Sequence, residues 1–339
     1  MPASIQLDQC RKLSAPNLFA NAIPYRLISP QTRPPEKSPI MDRRHFLRTS
    51  SSVAIALTAT SAFGIDPFVR PKPGKLRLSL AAYSMRKYLQ GTKEKKAEMD
   101  LHGFVDYCYE LGLEGAELTS YYFPDKVTDD YLFSLKNHCH LRGITISGGA
   151  IRNDYCQPDG PKLQADIEHT KTWIDHYTKL GAPAIRIFAG NLPKDADMDT
   201  TLKHCAATCE QVCQYAASRG VILALENHGG VTAKAEGLLK IVKQVNASHF
   251  GVNFDSGNFR STSDPYQELA AIAPYAVNAQ IKVEIFPDGK KEDTDLARVL
   301  SILKDAGYSG WVALEYEAAE EPKEAIPRHV EKLKALLRG

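Results

Sequence analysis

What this 339-residue chain has little of narrows its possibilities before any motif is read. No apolar run reaches the roughly 20 residues that a membrane-spanning helix needs, which argues against insertion in a bilayer. No G-x-G-x-x-G follows the first strand-like run, which argues against a doubly wound dinucleotide-binding sheet. Basic surplus is also missing where a nucleic-acid binder would need it. Residues 1–75 hold eleven of the 42 Lys and Arg and four of the 40 Asp and Glu, so the remainder carries 31 against 36, a net −5. That field repels phosphates rather than neutralising them, so no nucleic-acid partner is expected. Seven cysteines are present, without the paired Cys and His spacing of a zinc site. Cys205, Cys209 and Cys213 recur every four residues, along one stripe of a helix, and read as small buried apolar side chains.

The first 75 residues read as separate from the rest. Residues 1–40 are rich in Pro, Ser and Arg without apolar periodicity and read as an upstream extension, with Met41 a plausible true start. Residues 41–75 read as a signal and linker. Arg43 and Arg44, then Phe46 and Leu47, then a short apolar stretch resemble a twin-arginine export signal. The resemblance implies the twin-arginine machinery as a partner, a periplasmic destination and no lasting membrane insertion. Such export moves folded proteins, so thiols would be buried before they meet an oxidising compartment.

From residue 76 to 339 short strand-like runs alternate with longer amphipathic stretches. The runs lie near 76–83, 113–118, 144–150, 184–189, 221–226, 250–255, 277–283 and 311–316. Helix-like stretches include 161–180, 199–219, 232–245, 293–306 and 322–338. Gly112, Gly143, Gly181, Gly220 and Gly307 each stand between a helix-like stretch and the next strand, where a left-handed cap is wanted. Eight such units predict a (β/α)8 barrel.

The last four strands share a phase. One face of each is apolar; the other becomes polar toward the C-terminal end. It ends on Glu226 and His228 in strand five, on Asp255 in strand six, on Gln280 and Lys282 in strand seven, and on Glu315 and Glu317 in strand eight. Carboxylates brought together raise one another's pKa, and a divalent cation held by Glu226, Asp255, Gln280 and Glu315 removes that conflict. His228 can contact substrate or orient Glu226. Lys282 can face a substrate oxygen or pair with Glu284 or Glu317. Earlier strands offer Tyr83, Glu117, Arg152 and Arg186 as substrate contacts, Arg186 alternatively as partner of a barrel carboxylate. Tyr121, Tyr122 and Phe123 offer an apolar wall for a sugar ring.

The stretches "LALENHGG" (223–230), "GVNFDSGNF" (251–259), "AQIKVE" (279–284) and "VALEYE" (312–317) resemble the closing strands of xylose-isomerase-like TIM barrels, more closely the sugar-phosphate isomerase/epimerase group. The resemblance runs through residues 76–338. It implies one divalent metal on Glu226, Asp255, Glu315 and a strand-seven ligand, and an enediolate mechanism with Glu226 and Glu315 as acid and base. Three positions depart from the family pattern. Asn278 and Gln280 replace histidines in strand seven, and Asn258 replaces one after strand six. The resulting oxygen-only ligand set favours Mn²⁺ or Mg²⁺ over Zn²⁺ and argues against the multi-zinc endonuclease branch. The leading expectation is a sugar isomerase or epimerase acting on a small carbohydrate. The alternatives are a lyase, dehydratase or hydrolase of a keto-sugar or keto-glycoside, and a non-catalytic carbohydrate-binding barrel; an oligomer is compatible with either.

Overall fold

In the computed structural model, which describes residues 64–92 and 96–338, the eight apolar runs become eight parallel strands. They are β1 (Leu76–Ala81), β2 (Gly115–Thr119), β3 (Thr145–Ala150), β4 (Ala184–Ile187), β5 (Ile222–Glu226), β6 (Phe250–Asp255), β7 (Ala276–Ile281) and β8 (Gly310–Leu314). Each pairs with its neighbour in sequence, and β8 closes on β1 with Leu78 opposite Val312. A helix follows every strand: Leu101–Glu110, Asp129–Leu141, Pro161–Leu180, Met198–Arg219, Ala235–Val242, Pro265–Ile272, Leu296–Asp305 and Pro322–Arg338. The predicted (β/α)8 barrel is the fold. The antiparallel ribbon after β7, Glu284–Ile285 with Glu292–Asp293, has no counterpart in the sequence reading.

Local chemistry sets the helix limits. The five predicted cap glycines all take positive φ, between 60° and 83°. A side chain there would strain the backbone that turns each helix into the next strand. At the other ends, Asp100, Thr128, Asp197, Asp264 and Asp295 accept a backbone N–H of the first turn and satisfy a donor the helix leaves unpaired.

Alternation along the strands separates two interiors. Leu80, Leu223, Leu225, Val252, Phe254, Ile281, Val312 and Leu314 face the helices and are fully buried. Cys205, Cys209 and Cys213 pack in this layer as free buried thiols, as their spacing predicted. Inside the barrel the residues are instead polar, small or charged, and this is where the site is built.

Residues 64–75, read from sequence as linker, run along the barrel. The Gly64, Phe68 and Gly74 N–H groups donate to the carbonyls of Lys243, Pro274 and Lys304, at helix ends that precede strands and so lie opposite the strand C-termini. Gly74 has no alternative there, since a Cβ would come 1.8 Å from the Tyr308 carbonyl oxygen. The extension 1–40 and the twin-arginine segment lie outside the described residues. Among those described, no helix is long and apolar enough to cross a membrane.

Candidate active site

The floor of the barrel is an amide–carboxylate network contributed by four strands. Asn278 Nδ2 and Gln280 Nε2 donate to the two oxygens of Glu117, at 2.8 and 2.6 Å. Asn253 Nδ2 donates to Gln280 Oε1 at 2.6 Å and to Glu226 Oε2 at 3.2 Å, and Asn253 Oδ1 accepts from Asn278 at 2.8 Å. All five residues are buried. Two residues expected at the site take part in this network. Glu117 is tied by two amides and is not among the residues that line the open cavity. Gln280 reaches the barrel interior as predicted, but its oxygen accepts from Asn253 instead of facing a cation. Both follow from replacing strand-seven histidines with amides, which donate and accept at once and so lace a buried carboxylate into place.

Above the floor the carboxylates converge. Lys282 Nζ stands 3.2 Å from Asp255 Oδ2, 3.7 Å from Glu315 Oε1 and 3.2 Å from Glu317 Oε1. It also donates to Asn258 Oδ1 at 3.1 Å, and Asn258 Nδ2 donates to Glu226 Oε1 at 2.9 Å. Arg186 Nε lies 3.3 Å from Glu226 Oε2. Glu226, Asp255 and Glu315 are therefore brought together, and Lys282 forms the Glu317 pair allowed for it, not the Glu284 one.

Five carboxylates here face two cations, and the protonation states reflect it. Burial first, then repulsion from Asp255 against the pull of Arg186, raises Glu226 to about 7. Burial likewise raises Asp255 and pushes Glu315 well above the ordinary range, in both cases against the charge of Lys282. Burial also raises Glu117 despite its two amide donors. For Lys282 burial disfavours the charge, but Asp255, Glu315 and Glu317 outweigh it and hold the ammonium charged.

These observations test the fit of a divalent cation. Three buried carboxylates with too little positive charge are a hard-oxygen donor set, and buried Asp255 Oδ2 has the Lys282 ammonium at 3.2 Å as its ion-pair partner but no well-aligned hydrogen bond. Glu226, Asp255 and Glu315 thus have the oxygen chemistry that a hard cation takes. Gln280 does not complete the set. With the Lys282 ammonium among them, no His, Cys, Asp and Glu group among the described residues stands ready-made around an ion.

A cavity of about 500 Å³ opens over this hub. Glu226, Glu315, His228, Arg186, Arg152 and Tyr83 line it, together with Tyr121 and Tyr122. Phe123 instead packs beneath, edge-on to Trp173 at 5.1 Å. Lys282 lines a separate cavity of about 270 Å³ with Arg260 and Glu317. Arg186 spans cavity and hub, its guanidinium 4.0 Å over the Phe188 ring, which packs on His228 at 4.2 Å. Sequence reasoning named Glu317 only as an inward strand end and a possible partner of Lys282, and did not single out Phe188, His169 or Trp173; all four line the cavity. Glu317 carried a signal, being two residues beyond Glu315 in the same inward phase. His169 and Trp173 carried none, because only the turn of helix Pro161–Leu180 toward the mouth brings them there.

Fold and site together define a barrel with a carboxylate-rich mouth, and the comparisons agree. The profile of the xylose isomerase-like TIM barrel family matches residues 105–336, and the chain belongs to that family. Among solved structures it is similar to a D-psicose 3-epimerase of Clostridium cellulolyticum H10 crystallised with D-tagatose, with 15% identity over 77% of this chain and 98% of that one and a TM-score of 0.63. It is similar to a 3-keto-D-glucoside 4-epimerase of E. coli, with 14% identity over 77% and 100% and a TM-score of 0.60. A third is the IOLI protein with a bound zinc atom, with 20% identity over 77% and 96% and a TM-score of 0.59. At these identities the likeness shows the shared barrel.

Proposed function

We propose that this protein is a sugar isomerase or epimerase that moves a proton at a carbon beside a carbonyl, with Glu226 and Glu315 as the acid/base pair. One observation carries the reading. Two buried carboxylates with raised proton affinity face the same cavity, whose walls are the aromatic and arginine side chains that suit a polyol ring. The epimerases among the structural neighbours support it.

The steps follow from these residues. Tyr83 and Tyr121 bound the sugar ring, while Arg152 and Arg186 supply N–H donors to its oxygens. One glutamate in its carboxylate form takes the proton from the carbon beside the carbonyl; the other, protonated, returns one to an adjacent position or to the opposite face. Glu226 at about 7 exchanges protons readily near neutrality, where acid/base catalysis is most effective. The Arg186 guanidinium is positioned to stabilise negative charge that builds on the substrate oxygen. Glu226, Asp255 and Glu315 would hold a divalent cation, which when bound polarises the carbonyl and acidifies the neighbouring C–H. Hard oxygen ligands favour Mn²⁺ or Mg²⁺ there.

The test is incubation with D-fructose, D-tagatose and 3-keto-glucosides in D₂O with Mn²⁺. Deuterium entering a carbon-bound position, with an isomeric product, supports the reading. Loss of a leaving group after the same proton abstraction identifies a lyase. Binding without exchange in any of these sugars overturns catalysis and leaves a carbohydrate-binding barrel.

A further inference from the structure

We infer that the site continues into a second saccharide subsite, so that the preferred substrate is an unphosphorylated glycoside or disaccharide and not a free monosaccharide. The inference rests on the sugar reading above and names its substrate class. A second cavity of about 400 Å³ shares Arg152, Phe188 and His228 with the 500 Å³ cavity over the hub. Pockets for ligands of drug size span roughly 300–1,000 Å³, so the pair together reaches the upper part of that range and is larger than a single ring requires.

The lining of the second cavity states what it would take. Beyond the shared wall it presents Asp154, Asp166 and Asn191. Asp154 follows β3, and its N–H donates to Asp166 Oδ2 at 3.1 Å, an oxygen that also accepts from Gln157 Nε2 at 2.7 Å. Asp154 Oδ1 accepts from the Cys156 N–H at 3.0 Å. Asp154 also accepts from the Asn191 backbone N–H, while Asp166 is held through one oxygen and keeps acceptor capacity on the other. Neither forms an ion pair with the lysines and arginines among the described residues, so charge pairing is not what keeps them there.

The chain above β4 is shaped around them. Gly190 has φ 119°, and a Cβ there would stand 1.8 Å from Asp154 Oδ1. Two carboxylates against the single guanidinium of Arg152 leave the lining net negative, and with an amide beside an aromatic face it accepts from and donates to hydroxyl groups and disfavours phosphate. A neutral second sugar fits that lining; a sugar phosphate does not. The shared wall of Phe188 and His228 places the junction between the rings beside Glu226, where the chemistry is proposed.

Calorimetric titration with Mn²⁺ present tests this, using D-fructose and D-glucose against turanose, palatinose, maltose and cellobiose. At least one disaccharide should bind about tenfold or more tightly than either monosaccharide. Asn191→Ala, at an exposed loop position, and Asp166→Asn should remove that advantage while leaving monosaccharide affinity within about twofold. Disaccharides that bind no tighter than fructose and glucose overturn the subsite alone, as do variants that weaken both classes equally. Absence of binding by every sugar overturns the carbohydrate reading itself, and the subsite with it.

Discussion

The two halves of the barrel mouth are built from different materials. Strands β5 to β8 and the residues just after them contribute Glu226, Asp255, Lys282 and Glu315, all buried, with Lys282 paired to Asp255 and Glu315 and linked to Glu226 through Asn258. Strands β1 to β4 and the segments after them contribute Tyr83, Tyr121, Arg152 and Phe188, which are at least partly open to solvent. Arg186, buried and paired with Glu226, and Glu117, held by Asn278 and Gln280, tie the second half to the first. The difference teaches a division of labour. Fixed, desolvated charges suit proton transfer, because their fields are strong and already oriented. Open aromatic and basic walls suit recognition, because they trade water for sugar at little structural cost.

Glutamate replacement is the sharpest way to break that comparison. Glu315→Gln or Glu226→Gln should lower solvent deuterium exchange into substrate by about 10²–10⁴-fold, with circular dichroism unchanged. An equal loss of kcat in Tyr121→Ala would erase the distinction between the halves.

Lys282→Met comes next. It leaves Asp255 and Glu315 buried without their counter-charge, which should destabilise the protein by about 3–5 kcal/mol in urea unfolding. Mn²⁺ should recover part of that loss and bind the variant more tightly than the parent, because the ammonium no longer competes for the same oxygens. Equal Mn²⁺ affinity in both proteins would show that these carboxylates are not where the cation is held.

A smaller effect belongs to the recognition half. Tyr121→Ala should raise KM by roughly three- to tenfold and leave kcat within about twofold, as loss of binding shared by ground and transition states does.

The smallest effect is a pH dependence. In metal-free protein the Glu226 carboxyl sits at about 7, above its ordinary 4.5. A raised carboxyl favours the folded state most while it is protonated, so its contribution is full below 4.5 and is lost as pH rises through about 7. The melting temperature of the parent relative to Glu226→Gln should therefore decline over that window, measured by differential scanning calorimetry. A flat difference would mean that Arg186 neutralises Glu226 completely.

Much of this was legible in residue order. Apolar runs of strand length, cap glycines at five helix ends and a polar inward phase were enough for the barrel, and for Glu226, Asp255 and Glu315 at its mouth. Period-two alternation assigns faces without knowledge of neighbours. What alternation does not assign is partnership. Gln280 has the same inward phase as the acids, yet its amide is engaged by Asn253 and Glu117. Glu117 was expected as a substrate contact and lies in the floor network, held by Asn278 and Gln280. Trp173 and His169 sit on a helix whose approach to the mouth no local pattern encodes.

Sequence by itself determined the strand and helix order, the two faces of each strand and the gathering of acids at one end, because these depend on periodicity and backbone propensity along a single segment. Tertiary structure decided that the Lys282 ammonium stands among those acids, that the amides of β7 bind Glu117, and that a second cavity adjoins the first. Those features depend on distances between side chains from strands far apart in the chain, and only closure of the barrel sets them.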